Sequence, residues 1–201
     1  MPQRKRNSET SGSKPPASNK ALRKAMSERT KAELVDILLE LAEADRGILR
    51  QLTAQLDVAL TPVELVAATH QAIIDATAFD ERQMNRNLDY DYAAYDEVKR
   101  NFGRLIGAGQ WRPAMELSLE LMKRGSYQVE MSDEGLMIED IEECLSVVLE
   151  SLGKSDLPPH KLIAWCSAML KSDRVRCIAT EELQAMRSHF QNIAAHHHRK
   201  E

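Results

Sequence analysis

Leu105-Ile106-Gly107-Ala108-Gly109-Gln110-Trp111-Arg112-Pro113-Ala114 is the stretch on which the reading of this chain turns. Upstream of it Tyr92, Tyr95, Val98, Phe102, Leu105 and Ile106 recur at helical spacing. Gly107 and Gly109 then supply the residue type that most readily takes the left-handed conformation after a helix end. A second helix follows at once over Trp111 to Arg124, with Ala114, Leu117 and Leu121 on one side, Met115, Leu119 and Met122 broadening it, and Gly125 as its expected stop. Two helices joined by so short a turn pack antiparallel.

The same punctuation extends in both directions. Thr30-Lys31-Ala32-Glu33 has the form of a capping box, in which hydroxyl and carboxylate reciprocally satisfy backbone N–H groups at a helix start. A helix is expected from Lys31, with Leu34, Val35, Leu38, Leu41 and Ala42 on one stripe widened by Ile37 and Leu39. A short helix with Ile48, Leu49, Leu52 and Leu56 comes next. Thr61-Pro62-Val63-Glu64 repeats the capping box with proline at the first helical position, where its missing N–H costs nothing. Val63, Val66, Ala67, His70, Ile73, Ile74 and Thr77 give the expected inward face of that helix, and Phe79 to Asp89 reads as a loop.

Towards the C-terminus, Ser132 or Asp133 is the expected cap of a long helix whose seam is Met137, Ile141, Cys144, Leu145, Val148 and Leu152, ending before Gly153. Pro158 and Pro159 open another, carrying Leu162, Trp165, Cys166, Met169 and Leu170. A last helix runs from about Thr180 through Leu183, Met186, Phe190 and Ile193. Nowhere do four alternating β-branched residues occur together, so no sheet is expected. The fold class is all-α, about eight helices in stacked antiparallel hairpins. Small residues at the 105–114 crossing, an aromatic after the turn and an alanine three further on resemble the tetratricopeptide arrangement, with an irregular helical bundle as the alternative.

Composition agrees with that reading. Of 201 residues 43% are hydrophobic and only 4% aromatic, so straight-chain helix formers outweigh strand formers. Charge is uneven: residues 1–31 hold nine Lys or Arg against Glu9 and Glu28, a balance of +7, whereas the whole chain carries −4. Because residues 1–20 lack large apolar side chains, they cannot offset the entropy of ordering. Three parts are therefore expected: a disordered basic arm over 1–29 with 21–29 as a frayed helix, a single helical domain over 30–195, and a frayed His-rich tail over 196–201. The absence of a long apolar run and of a secretory leader points to a cytoplasmic protein that does not enter a membrane.

A wider similarity spans roughly residues 31–185. Lys31-Ala-Glu-Leu-Val-Asp-Ile-Leu-Leu-Glu-Leu-Ala-Glu-Ala-Asp45, the Tyr-rich Asp89-Tyr-Asp-Tyr-Ala-Ala-Tyr95, and Leu105-Ile-Gly-Ala-Gly109 with Ala114-Met-Glu-Leu117 resemble the helical region downstream of the zinc finger in bacterial SWIM zinc-finger proteins. The C-x-C and C-x-H pairs that bind zinc in that family are absent. The resemblance thus implies a helical scaffold, and no role of the finger carries over.

Chemistry-bearing motifs are few. No GxxxxGK[ST], GxGxxG or GxSxG occurs, so phosphate cradles and a nucleophile elbow lack support. Asp89-x-Asp91 begins like a calcium loop, but Ala94 stands where the glycine is required and Arg100 where the bidentate glutamate is. Glu139, Asp140, Glu142 and Glu143 read as a solvated face. Cys144 and Cys166 lie on apolar seams and are expected to be buried thiols, while the register of Cys177 is undetermined. His70 reads as a core-edge histidine, and His196, His197 and His198 as a polar tail. No catalytic set, metal site or cofactor is expected.

Two functional readings remain. In the first the chain is a non-enzymatic protein-interaction or scaffold module that binds another protein through Tyr90, Tyr92, Tyr95 and Trp111, since Tyr and Trp offer large contact area with a polar handle. The alternative is nucleic-acid association through Arg4, Lys5, Arg6, Lys20, Arg23 and Lys24, which would displace counterions from phosphates without reading sequence.

Overall fold

The computed structural model describes residues 19–56, 58–78, 90–132, 135 and 137–197. Among them it shows nine helices and no strand, as the spacing of apolar residues predicts. The contacts divide the chain into two compact units, parted between residues 57 and 58, where the sequence reading has one domain over 30–195.

The first unit carries α1 (Asn19–Ser27), α2 (Lys31–Ala44) and α3 (Arg46–Gln55). Thr30 and Glu33 close the expected capping box: the Glu33 amide donates to Thr30 Oγ1 at 3.3 Å and the Thr30 amide to Glu33 Oε2 at 2.8 Å. Asp45 ends α2 and caps α3, accepting from the Gly47 and Ile48 amides at 2.7 and 3.3 Å. Residues 21–27, expected to fray, belong to α1, and the disorder expected for 1–18 falls outside the described residues. The inward stripe expected for α2 is not buried within this unit. Val35, Leu38 and Leu41 are exposed, and Ala42 is the buried residue of the helix.

The second unit carries α4 (Pro62–Ala76), α5 (Tyr92–Gly107), α6 (Trp111–Met131), α7 (Ile138–Leu152), α8 (Pro159–Ser172) and α9 (Thr180–His197). Pairing follows one rule. Each of α4, α6 and α8 packs on the helix that follows it, while α4 also meets α6, α6 meets α8, and α5 meets α7. Specific bonds fix the directions. Gln128 near the end of α6 reaches the Ala76 carbonyl at the end of α4, and α8 meets α6 twice in the same order, Trp165 Nε1 donating to the Met115 carbonyl and Ser126 Oγ to the Ser172 carbonyl at the end of α8, so these three run parallel. Tyr90, just before α5, bonds Asp140 in the first turn of α7, and Lys99 of α5 pairs further along with Glu143 at 2.7 Å, which aligns those two likewise. Gly125 of α6 lies beside Ile141 of α7, close to the turn that joins them, so that pair is antiparallel. The result is three stacked antiparallel hairpins, α4/α5, α6/α7 and α8/α9.

This frame differs by one helix from the sequence reading. The 105–114 turn joins α5 and α6 as predicted, but α5 packs chiefly on α4 and α7, so the turn connects successive hairpins. Its local chemistry is as expected: Gly109 has φ +69°, its amide donates to the Ile106 carbonyl at 2.9 Å, and the Gln110 amide reaches the Leu105 carbonyl at 2.8 Å. These two bonds satisfy carbonyls that a helix end otherwise leaves open.

Three further expectations are corrected. Helix α6 does not stop at Gly125 but continues to Met131, because the missing Cβ is used for close approach to α7. Neither expected cap begins α7: the helix starts at Ile138, and Ser132 instead serves the turn, donating to the Val129 carbonyl at 3.0 Å and accepting from the Gly135 amide at 2.9 Å. Position 133 lies outside the described residues, as does the expected loop over 79–89. Finally, α4 is rotated. Its buried residues are Leu65, Thr69, Ala72, Ile73 and Ala76, whereas Val63 is 79% exposed and His70 is exposed. Apolar residues surround this helix, so period alone does not select a face. The Thr69 and Thr77 hydroxyls satisfy themselves on the Leu65 and Ile73 carbonyls at 2.6 Å, which lets both threonines enter the core.

The seam of α7 is buried as predicted, all six residues of it, and Leu162, Trp165, Cys166 and Met169 of α8 join the same core. No described helix is long and apolar enough to cross a membrane.

Candidate partner-binding cleft

The aromatic group proposed from the sequence does not form one surface. Tyr95 is buried, its hydroxyl donating to Gln128 Oε1 at 2.6 Å. Gln128, itself fully buried on α6, in turn donates to the Ala76 carbonyl at 3.1 Å. This chain of bonds ties α4, α5 and α6 together, and Tyr95 is a core residue. Burial pushes its phenol well above the ordinary range. Tyr90 is half-buried and meets Tyr95 edge to face at 6.2 Å. Its hydroxyl donates to Asp140 Oδ2 at 2.6 Å, and burial together with that carboxylate raises its pKa. Tyr92 alone of the three projects outward, 67% exposed.

Trp111 belongs to a different feature. Helices α6 and α8 leave between them a cleft of about 500 Å³. Trp111, Met115 and Leu119 line it from α6, one helical turn apart, while Ala164, Trp165 and Ala168 line it from α8. Leu157, from the turn before α8, also lines it. Two causes keep the space open. The small side chains at 164 and 168 do not fill it, and the Trp165 indole is held by its 3.0 Å bond to the Met115 carbonyl. Arg112, Glu116 and Lys161 stand at the rim, with Arg112 Nε on Glu116 Oε1 at 2.8 Å. The volume lies within the range of sites that hold a few bulky groups.

Sequence reasoning found Trp111 but not its partner Trp165, which it placed in the core. The alanines four residues apart on α8 were the available signal, because small residues on a helix face leave room that a neighbour does not fill.

Of the acid-rich segment of α7, Glu139 and Glu143 are exposed, as expected of a solvated face, whereas Asp140 and Glu142 are half-buried. Asp140 receives the Tyr90 hydroxyl, Glu142 accepts the Ala179 amide at 2.9 Å, and Glu143 pairs with Lys99. These carboxylates join α7 to α5 and to the turn before α9. In that turn Asp173, nearly buried, accepts from the Val175 and Ile178 amides at 3.1 and 3.0 Å, and Arg176 and Ala179 hold positive φ.

Cys144 and Cys166 are buried, as their seams predict, and Cys177 is exposed. Burial raises the Cys144 thiol to about 12 and the Cys166 thiol to about 11. Of the residues proposed for nucleic acid, Lys20, Arg23 and Lys24 are exposed on α1, and Arg4, Lys5 and Arg6 lie outside the described residues. Within α9 fall His196 and His197, while residues 198–201 lie outside the described residues. Among the described residues no three His, Cys, Asp or Glu converge as metal ligands. No family model, curated protein or solved structure matches the chain.

Proposed function

We propose that this chain is a protein-interaction module that seats bulky apolar side chains of a partner segment between α6 and α8. One observation carries the reading: an apolar cleft of about 500 Å³ lined by a tryptophan from each helix and by two alanines of α8. Aromatic side chains beside small ones suit an anchor residue, because burying one large apolar side chain contributes about 1.5–3 kcal/mol. Stacked helical hairpins commonly present such grooves to a helix or an extended segment. Lys161 at the rim favours an acidic residue beside the anchor.

Selection of a displayed peptide library against the full chain tests this. Retained peptides are expected to share a Trp, Phe, Leu or Met anchor with an acidic neighbour. Binding should fall at least tenfold for the cleft-filling variant Ala164→Leu/Ala168→Leu, whose substituted positions lie outside the buried core. Peptides that bind the filled variant and the parent equally would overturn the proposal, provided circular dichroism shows both fully helical.

A further inference from the structure

The lining of the cleft between α6 and α8 restricts the shape of what can fill it. Along α6 it consists of Trp111, Met115 and Leu119, one turn apart and spanning about 12 Å at about 1.5 Å per residue. Charged groups enter the lining only at Arg112, Glu116 and Lys161, within the first two turns of their helices, and the rest is apolar. Backbone groups inside both helices are bonded along their own axes, and the Trp165 indole N–H is taken by the Met115 carbonyl at 3.0 Å. An extended segment laid along this lining directs its backbone N–H and C=O groups sideways, toward the two helices, where they meet almost no partner. Nor is there a strand among the described residues whose edge it could join. A helix meets neither obstacle, because its backbone bonds are internal and one face carries apolar side chains at i, i+4 and i+7. The rise from i to i+4 is about 6 Å, the same as from Trp111 to Met115 and from Met115 to Leu119, so the anchors of a helix fall into register with the lining.

Charge sets its direction. Helices α6 and α8 run parallel, so both begin at the same end of the cleft. The partial positive charge of a helix start is left uncapped at both: neither Gln110 nor Pro158 makes a side-chain cap bond, whereas Thr61 and Asp91 cap α4 and α5. Arg112 is neutralised by Glu116, but Lys161, in the first turn of α8, has no ion-pair partner among the described residues. That end of the cleft is therefore positive and suits the negative end of a helix. Resting on the cleft as the partner site, we infer that its occupant is an amphipathic α-helix lying antiparallel to α6 and α8, with an apolar anchor every three to four residues and acidic residues in its last turn beside Lys161.

The probe is a fluorescent peptide of about 14 residues, a length at which a free helix is marginal, so a lactam bridge on its polar face holds it helical. It carries leucines at i, i+4 and i+7 and glutamates in its last turn. By anisotropy titration with the full chain it should bind at least tenfold more tightly than an unbridged counterpart that has leucines at alternate positions and a central proline. Lys161→Glu should weaken it several-fold, and Ala164→Leu/Ala168→Leu at least tenfold. A nitroxide on its last residue should broaden the Lys161 amide and the Trp111 indole signal more than the Leu119 and Ala168 amides, and a nitroxide on its first residue should do the reverse. Equal or tighter binding of the extended counterpart overturns the inference; if that binding is lost on filling the cleft, the cleft still stands as the partner site. Binding of the bridged peptide that ignores the filling overturns both, while its failure to bind at up to about 1 mM, where library peptides do bind, overturns the helix alone. The opposite broadening pattern overturns the direction assigned to it.

Discussion

A Cβ added to Gly125 would lie 2.8 Å from Cδ1 and 3.2 Å from Cγ1 of the fully buried Ile141. This glycine sits inside α6 against α7, so its value lies in its missing side chain. Gly125→Ala gains about 1 kcal/mol of helix propensity but meets an overpacking cost of about 1–3 kcal/mol. The net expectation is a modest loss of stability that is smaller in an Ile141→Val background, where the nearest atom is gone. A denaturation double-mutant cycle reads the coupling; an equal effect in both backgrounds would show that the two residues do not limit each other.

Tyr95 and Tyr92 stand three residues apart and should respond differently to loss of the hydroxyl. Tyr95→Phe leaves Gln128 Oε1 buried without its 2.6 Å donor, a loss of about 1–3 kcal/mol for an unsatisfied buried acceptor. Tyr92→Phe should leave the unfolding midpoint unchanged, since that side chain is mostly exposed. Equal midpoints for both variants would contradict the buried bond.

Glu64 makes the α4 start sensitive to acid. Its carboxylate accepts from the Thr61 hydroxyl and amide at 2.7 and 2.8 Å, and these bonds hold its pKa below the ordinary 4.5. A depressed folded value means that the stabilisation is fully present above the ordinary value and is lost as pH falls through the folded one. Parent and Glu64→Ala should therefore differ in thermal midpoint at neutral pH and converge as pH drops below about 4.5. A constant gap down to the lowest accessible pH would show that the carboxylate contributes nothing through its charge.

Thiol labelling distinguishes the three cysteines. At pH 8 an aromatic disulfide reagent should modify Cys177 in the native protein, while Cys144 and Cys166 react only as the protein opens, being both buried and, with pKa raised to about 12 and about 11, almost wholly protonated. One fast equivalent followed by two slow ones is the expected count. Three fast equivalents would contradict the packing of α7 and α8.

Much of this architecture is legible in the residues, and what is not has identifiable causes. The capping boxes at Thr30 and Thr61 and the seam of α7 were readable because each rests on local chemistry or on a stripe with polar residues opposite it. The face of α4 was not, because Val63, Leu65, Val66, Ala67, Ile73 and Ile74 surround it and two threonines enter the core by bonding to their own helix. Gly125 misled because glycine serves both helix ends and helix crossings, and only the neighbour decides which. Tyr95 and Gln128 depend on partners distant in sequence, so their roles are set by tertiary contact. The same holds for the cleft: Trp111 and Trp165 are 54 positions apart in the chain, and only the parallel alignment of α6 and α8 brings them to one hollow.

Those two tryptophans are the only ones the chain has, which gives the central claim a direct readout. A nitrogen-15 correlation spectrum should show two indole N–H signals, one from each wall of the cleft. Titration with a peptide selected on the full chain should move both, together with the amides of Met115, Leu119 and Ala168, and leave Tyr92 and α1 unperturbed. Shifts confined to Tyr90 and Tyr92, or to Lys20, Arg23 and Lys24, with both indole signals fixed, would contradict the cleft as the binding site.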